Sequence, residues 1–219
     1  MVHSFTVGPL AENSYLYLKN QDALLIDPGF VSPFEFQSLF ETLHHSSAKL
    51  KAILLTHAHV DHVAGLSKIL EIWPDLPVFL SHRDLSVWSS LTLQSQLFGI
   101  SLGASGVENE VSPLDYSKEN LSLLPSFQFE VLYTPGHSPD HISIYFPEES
   151  FVFSGDVLFR QSVGRTDILK ANLDDLVHSI REVLYKLPDE TKVYPGHGPE
   201  TTIGYEKQHN PFVRDSLRG

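Results

Sequence analysis

An apolar run, Ala52-Ile53-Leu54-Leu55, passes without interruption into Thr56-His57-Ala58-His59-Val60-Asp61-His62. Val63, Leu66, Ile69 and Leu70 follow at helical spacing. A short apolar run bounded in this way reads as a buried strand, and the later spacing as one face of a helix. Three imidazoles and a carboxylate are therefore expected on a strand-to-helix turn. Along an extended backbone His57 and His59, two apart, point the same way. Asp61 and His62 come after the bend and approach the same opening from another side. Nitrogen donors in this density, with one oxygen donor, suit an ion such as Zn²⁺.

The rest of the chain supplies the scaffold such a turn requires. Phe5 to Val7, Ser14 to Leu18 and Ala23 to Ile26 read as an antiparallel meander, with Gly8-Pro9 and Lys19-Asn20-Gln21-Asp22 as turns. Asp27 ends the meander, either as a turn residue or as a support behind the histidine loop. Ser32, Pro33 and Glu35 form a capping box, and Phe36, Leu39, Phe40 and Leu43 give the following helix its apolar face. A helix over about 62–72 stops at Trp73-Pro74, and Pro77 to Ser81 reads as a buried strand. Strands and helices alternate here, which predicts an α/β layered arrangement. Residues 99–120, rich in Gly, Ser, Asn and acidic side chains, read as a surface excursion, either a rim of the site or a solvated connector. Nothing resembling a linker divides the chain, so one domain over residues 1–219 is expected.

Composition excludes several classes. The net charge of −12 argues against binding a phosphate backbone, which needs a basic face. It leaves room for a small anionic substrate, because bound cations supply local positive charge. With no cysteine there is neither a disulfide framework nor a thiolate ligand. The N-terminus has no secretory pattern, and no 18-residue apolar run appears. A cytoplasmic protein without membrane or nucleic-acid partners is the expectation.

Further along, three strand-like runs end alike. Phe127 to Tyr133 leads into Thr134-Pro135-Gly136-His137, Phe151 to Phe153 into Ser154-Gly155-Asp156, and Lys192 to Tyr194 into Pro195-Gly196-His197-Gly198. Strand ends are where sites assemble in layered α/β proteins, and glycine lets the backbone approach closely. With the first cluster this makes seven candidate ligands, too many for one tetrahedral ion and suited to two ions sharing a carboxylate. A last helix is capped by Asn172 and presents Leu173, Leu176, Val177, Ile180, Leu184 and Leu187 on one face.

The set His57-x-His59-x-Asp61-His62 with His137, Asp156 and His197 resembles the metallo-β-lactamase superfamily. Thr134 to Pro139, Gly155 to Phe159, Gly164-Arg165-Thr166-Asp167 and Asn210-Pro211-Phe212 are similar to its glyoxalase II group, in the short bacterial form without a C-terminal helical domain. The resemblance implies a four-layer αβ/βα sandwich. It implies two divalent ions, zinc foremost, with iron or manganese as alternatives. His57, His59 and His137 would hold one ion, Asp61, His62 and His197 the other, and Asp156 both. Asp61 and Asp156 would then be the catalytic carboxylates. The implied activity is hydrolysis of an acyl-thioester of the S-lactoylglutathione type by a hydroxide bridging the ions. Arg165 would contact a substrate carboxylate, or else form a surface salt bridge. His141 would support the site or pack in the core. Asp167 stands where the group has an aromatic residue, and Asp140 where it more often has Gly. A mononuclear iron persulfide dioxygenase, and a hydrolase of another ester, lactone or phosphoester, share these motifs. Oligomeric state is not legible in the sequence.

Overall fold

The computed structural model describes residues 1–103, 107, 111–168 and 170–213. They form two compact units, Met1–Phe127 and Gln128–Gly219.

The first unit is built on a five-stranded sheet of order β1-β2-β3-β4-β5. Strands β1 (Val2–Val7), β2 (Glu12–Lys19) and β3 (Asp22–Ile26) are the expected antiparallel meander. β4 (Lys49–Leu54) and β5 (Val78–Phe79) then add in parallel. A parallel neighbour requires a crossover, and helix α1 (Pro33–Ser46) provides the one between β3 and β4. Its capping box is complete: Ser32 accepts from Glu35 N–H, and the Glu35 carboxylate accepts from the N–H groups of Ser32 and Val31 at 2.7 Å and of Gly8 at 2.9 Å. Leu39 and Leu43 of α1 are buried with Leu16, Leu25, Ile53 and Leu66 in one core. Phe30, Phe36, Phe40 and Trp73 form an aromatic row with centroids 5.7, 6.1 and 5.8 Å apart. Residues on both faces of β3 and β4 are buried (Leu24, Leu25, Ile53, Leu54), as parallel strands require.

Two expectations are corrected in this unit. The helix predicted over 62–72 is two, α2 (Val60–Val63) and α3 (Leu66–Ile72). The break is at Gly65, whose N–H donates to Pro28 O at 2.8 Å and where an added Cβ would come 2.9 Å from that oxygen. The excursion over 99–120 lies partly outside the described residues, but its described part is not a solvated connector. Ile100, Leu102 and Val107 are buried, Leu114 bridges Phe79, and the Tyr116 hydroxyl donates to Leu55 O at 3.0 Å. Polar residues dominate the composition there, while a few apolar anchors hold the backbone to the core.

The second unit carries a five-stranded sheet of order β12-β11-β8-β7-β6. β6 (Glu130–Tyr133), β7 (Ile142–Phe146) and β8 (Phe151–Gly155) are antiparallel neighbours. β11 (Lys192–Pro195) lies parallel to β8, and β12 (Thr201–Thr202) closes the edge. A small hairpin, β9 (Leu158–Phe159) with β10 (Ser162–Val163), follows β8. The helix capped by Asn172 runs over Leu173–His178 and continues as a π turn and a 3₁₀ turn to Lys186. It buries Leu176, Ile180 and Leu184 against Val152, Val193 and Ile203. A further short helix, Ile203–His209, comes after it. Among the described residues no helix is long and apolar enough to cross a membrane.

Candidate metal centre

Sheet topology collects the first group of candidates. The ligand loop leaves the C-terminal end of β4, and Asp27 leaves the same end of its parallel neighbour β3. Glu12 begins β2, which runs antiparallel to β3, so it lies at that end too. Asp27 adopts φ +46°, a left-handed conformation that Asp tolerates better than most residues. Its carboxylate accepts from Thr56 N–H and from Thr56 Oγ1–H, both at 2.7 Å, and lies 3.1 Å from His62 Nδ1.

These contacts set the imidazole tautomers. Thr56 Oγ1 gives its proton to Asp27, so it accepts from His57 Nδ1–H at 3.0 Å. His62 Nδ1–H donates to Asp27. Both rings therefore present Nε2 as a lone-pair donor. His57 Nε2 lies 3.0 Å from His59 Nδ1, the separation of two ligands each about 2 Å from one ion. His57 and His62 are fully buried, and the His62 Nε2 to Asp61 Oδ2 distance is 4.0 Å.

The loop backbone is held from outside by side chains. Ala58 N–H donates to buried Asp84 at 2.6 Å, and Val60 N–H donates to Gln94 Oε1 at 3.0 Å. Beneath it, Gly29 N–H donates to Ser14 Oγ, which donates to Glu12 Oε2, each at 2.9 Å. A Cβ on Gly29 would come 2.2 Å from Asp61 O and 2.3 Å from Glu12 Oε2, so only glycine fits. Burial pushes the Glu12 carboxyl well above the usual range; His62 and the Ser14 bond oppose this, and the nearby Asp27 and Asp61 charges add to it. Glu12, Asp84 and Gln94 were not singled out from the sequence. Glu12 did leave a signal there, as a charged residue just ahead of the apolar run Tyr15 to Leu18.

In the second unit three strand ends again share one edge, because β6 and β8 both run antiparallel to β7 and β11 runs parallel to β8. Asp156 Oδ2 lies 3.4 Å from His137 Nε2 and 3.5 Å from His197 Nε2. His137 Nδ1–H donates to Arg165 O at 2.9 Å. Gly136, at φ +136°, packs so closely that a Cβ would lie 2.3 Å from Leu176 N. His141 is fully buried; its Nε2 accepts from Asp156 N–H at 3.1 Å, so its Nδ1–H donates to Thr134 Oγ1 at 3.1 Å. Asn210 bonds Ser162 O and buried Glu206, and Glu206 also accepts from Gln161 N–H and Thr201 Oγ1. That network ties the β9–β10 hairpin to the segment after His197. The Arg165 side chain does not join the cluster: it forks onto Asp167, with Nε to Oδ1 at 2.7 Å and Nη2 to Oδ2 at 3.0 Å, on the exposed surface.

The donor chemistry fits transition-metal ions. His57, His62 and His137 each give Nδ1–H to a protein acceptor and keep Nε2 as donor, the arrangement of metal-ligating histidines.

The comparisons with known proteins agree with this chemistry. Residues 7–197 match the model of the metallo-beta-lactamase superfamily. The chain is 38% identical over 210 residues to "Probable metallo-hydrolase YqgX" of Bacillus subtilis, covering 94% of each. It is 34% identical over 206 residues to hydroxyacylglutathione hydrolase GloC of Haemophilus influenzae, covering 91% of each. Among solved structures it is similar to TTHA1623 in a di-iron-bound form, at 40% identity and a TM-score of 0.83, covering 96% of this chain and all of that one. Strand-end histidines and aspartates of the expected order, on the same fold as these relatives, place the chain in the metallo-beta-lactamase superfamily, to which it belongs along almost its whole length.

Proposed function

We propose that the chain is a binuclear metal-dependent hydrolase of acyl-thioesters, of the S-lactoylglutathione type, in the glyoxalase II group. In this reading residues 1–219 act as one cytoplasmic domain. His57, His59 and His137 hold one ion, Asp61, His62 and His197 hold the other, and Asp156 serves both. The observation that carries it is the anchoring of three imidazoles through Nδ1, which leaves each Nε2 with a lone pair to offer an ion. The GloC relative, named for hydroxyacylglutathione hydrolysis, supports the substrate class. The ions are zinc or iron: nitrogen and carboxylate donors suit either, and the similar structure TTHA1623 is di-iron-bound.

Two such cations, when bound, lower the pKa of water towards neutrality and polarise a thioester carbonyl. The chain's own residues hold and orient. Asp27 keeps the His62 and His57 tautomers through one carboxylate. His141 holds the Asp156 backbone in place. Arg165 offers a guanidinium to a substrate carboxylate once Asp167 yields it.

The test is hydrolysis of S-D-lactoylglutathione by protein of measured metal content, with oxygen uptake on glutathione persulfide followed in parallel. Rapid, chelator-sensitive thioester loss supports the reading. Iron-dependent oxygen uptake without thioester loss overturns it in favour of a persulfide dioxygenase. Neither activity, with two metals bound, overturns the thioester assignment and directs the search to other esters.

A further inference from the structure

In a parallel β-ladder a residue is held at two points, the carbonyl before it and the N–H after it, both bonded to one residue of the adjacent strand. His59 is held at those two points by a side chain. Gln94, on the helix Leu91–Phe98, donates from Nε2 to Ala58 O at 3.3 Å and accepts at Oε1 from Val60 N–H at 3.0 Å. The amide orientation follows from its partners, since a carbonyl requires a donor and an N–H requires an acceptor. Nε2 also donates to Ser90 Oγ at 3.1 Å, at the N-cap of the same helix, and to Val87 O at 3.3 Å on the preceding helix Leu85–Trp88, which anchor the amide from behind.

The clamp sits where regular pairing has run out. The last ladder bond on the β5 side is Leu55 N–H to Phe79 O at 2.9 Å. His59 itself is extended, with φ −77° and ψ 149°, and the next residue opens α2. Between strand and helix His62 N–H donates to His59 O at 3.1 Å, the first turn of α2, and Gln94 adds a side-chain hold on the other polar groups of the two flanking peptides, Ala58 O and Val60 N–H. Rotation of either peptide would swing His59 Nδ1 away from His57 Nε2, 3.0 Å distant.

We infer that Gln94 is a positioning residue: its amide acts as a one-residue substitute for a neighbouring strand, holding His59 Nδ1 at the place where it shares an ion with His57. The inference rests on the metal reading above. A residue serving only to attach the helix to the loop would contribute to stability and leave the ion's surroundings unchanged.

The test uses the full-length protein and Co²⁺ as the probe. Gln94→Met keeps the side-chain volume without donor or acceptor, Gln94→Ala removes the side chain, and Gln94→Glu keeps the acceptor for Val60. Co²⁺ affinity is measured by competition with a chelating dye and the ligand field by visible absorption. Circular dichroism and the melting temperature of the metal-free protein report the fold. Loss of two hydrogen bonds to the loop is expected to weaken the tighter Co²⁺ site about tenfold or more in Gln94→Met and Gln94→Ala and to shift its absorption band. Gln94→Glu is expected between these and the wild type. Wild-type affinity and spectrum in Gln94→Met overturn the inference, even with a lowered melting temperature, as does Gln94→Glu behaving no better than Gln94→Met. A wild-type protein that binds no Co²⁺ overturns the metal reading and the inference with it. Co²⁺ bound by wild type and lost in His59→Ala, with Gln94→Met unaffected, overturns the inference alone.

Discussion

His137 Nδ1 donates to the backbone carbonyl of Arg165, 28 residues away, at 2.9 Å. The imidazole is thus oriented by the Arg165 main chain, while the Arg165 side chain points to Asp167. Ligand orientation and substrate contact can therefore be separated by mutation. Arg165→Ala is expected to leave metal content unchanged and to raise KM for a glutathione thioester several-fold, with little effect on a thioester that lacks the carboxylate. Asp167→Asn is expected to lower that same KM, because the guanidinium loses its fork partner. The Arg165 hydrogen bonds hold the Asp167 carboxyl below the usual range, so the competitor stays ionised at neutral pH. Steady-state kinetics on both substrates at two salt concentrations check this, and equal effects on both would remove the assigned role.

Asp27→Asn keeps one oxygen for Thr56 N–H but replaces the acceptor of His62 Nδ1–H and Thr56 Oγ1–H. Metal affinity is expected to fall about 10- to 100-fold, the usual cost of losing a carboxylate behind a ligating histidine. Titration with a competing chelator measures it.

Metal removal by dialysis against a chelator should abolish thioester hydrolysis, and added Zn²⁺ or Fe²⁺ should restore it. His59→Ala should not be restored by either ion at concentrations sufficient for the wild type. Full turnover of His59→Ala would exclude it from the ligand set.

Gly29→Ala places a methyl group 2.2 Å from Asp61 O and 2.3 Å from Glu12 Oε2. Asp61 O belongs to the loop and buried Glu12 lies beneath it, so relief comes from moving the Asp61 turn or the Glu12 carboxylate. Overpacking of this kind costs about 1–3 kcal/mol. Denaturant unfolding should show that loss, and metal analysis should show a site depleted relative to wild type.

Glu35 supplies a pH-dependent element at the start of α1. Burial pushes its carboxyl up, but the N–H donors of Ser32, Val31 and Gly8 outweigh this and hold it below the usual range. A carboxyl depressed on folding adds stability above its unfolded pKa of about 4.3, and that stability is lost as pH falls through the folded value. Glu35→Gln should therefore lower the melting temperature at pH 7 by about 2–4 °C. The difference from wild type should shrink below about pH 4, and a pH-independent difference would count against the ionic origin.

Local signals in the chain were sufficient for much of this architecture. The Ser32-Pro33-Glu35 box, the antiparallel meander and the Asn172 cap all depend on residues within a few positions of one another, and all form as read. The seven candidate histidines and aspartates stand out in the sequence because the groups that hold them follow apolar runs. What tertiary structure decided depends on contacts remote in sequence. Gly65 breaks a helix because Pro28 lies against it. Residues 100, 102 and 107 are buried although their neighbours are polar. The side chains that hold the ligand loop, Asp27, Asp84 and Gln94, come from 29, 26 and 34 residues away. Composition and periodicity report the energy a segment gains along its own axis. An isolated amide or carboxylate that satisfies one buried N–H leaves no period in the sequence, and its role exists only once the fold brings it there.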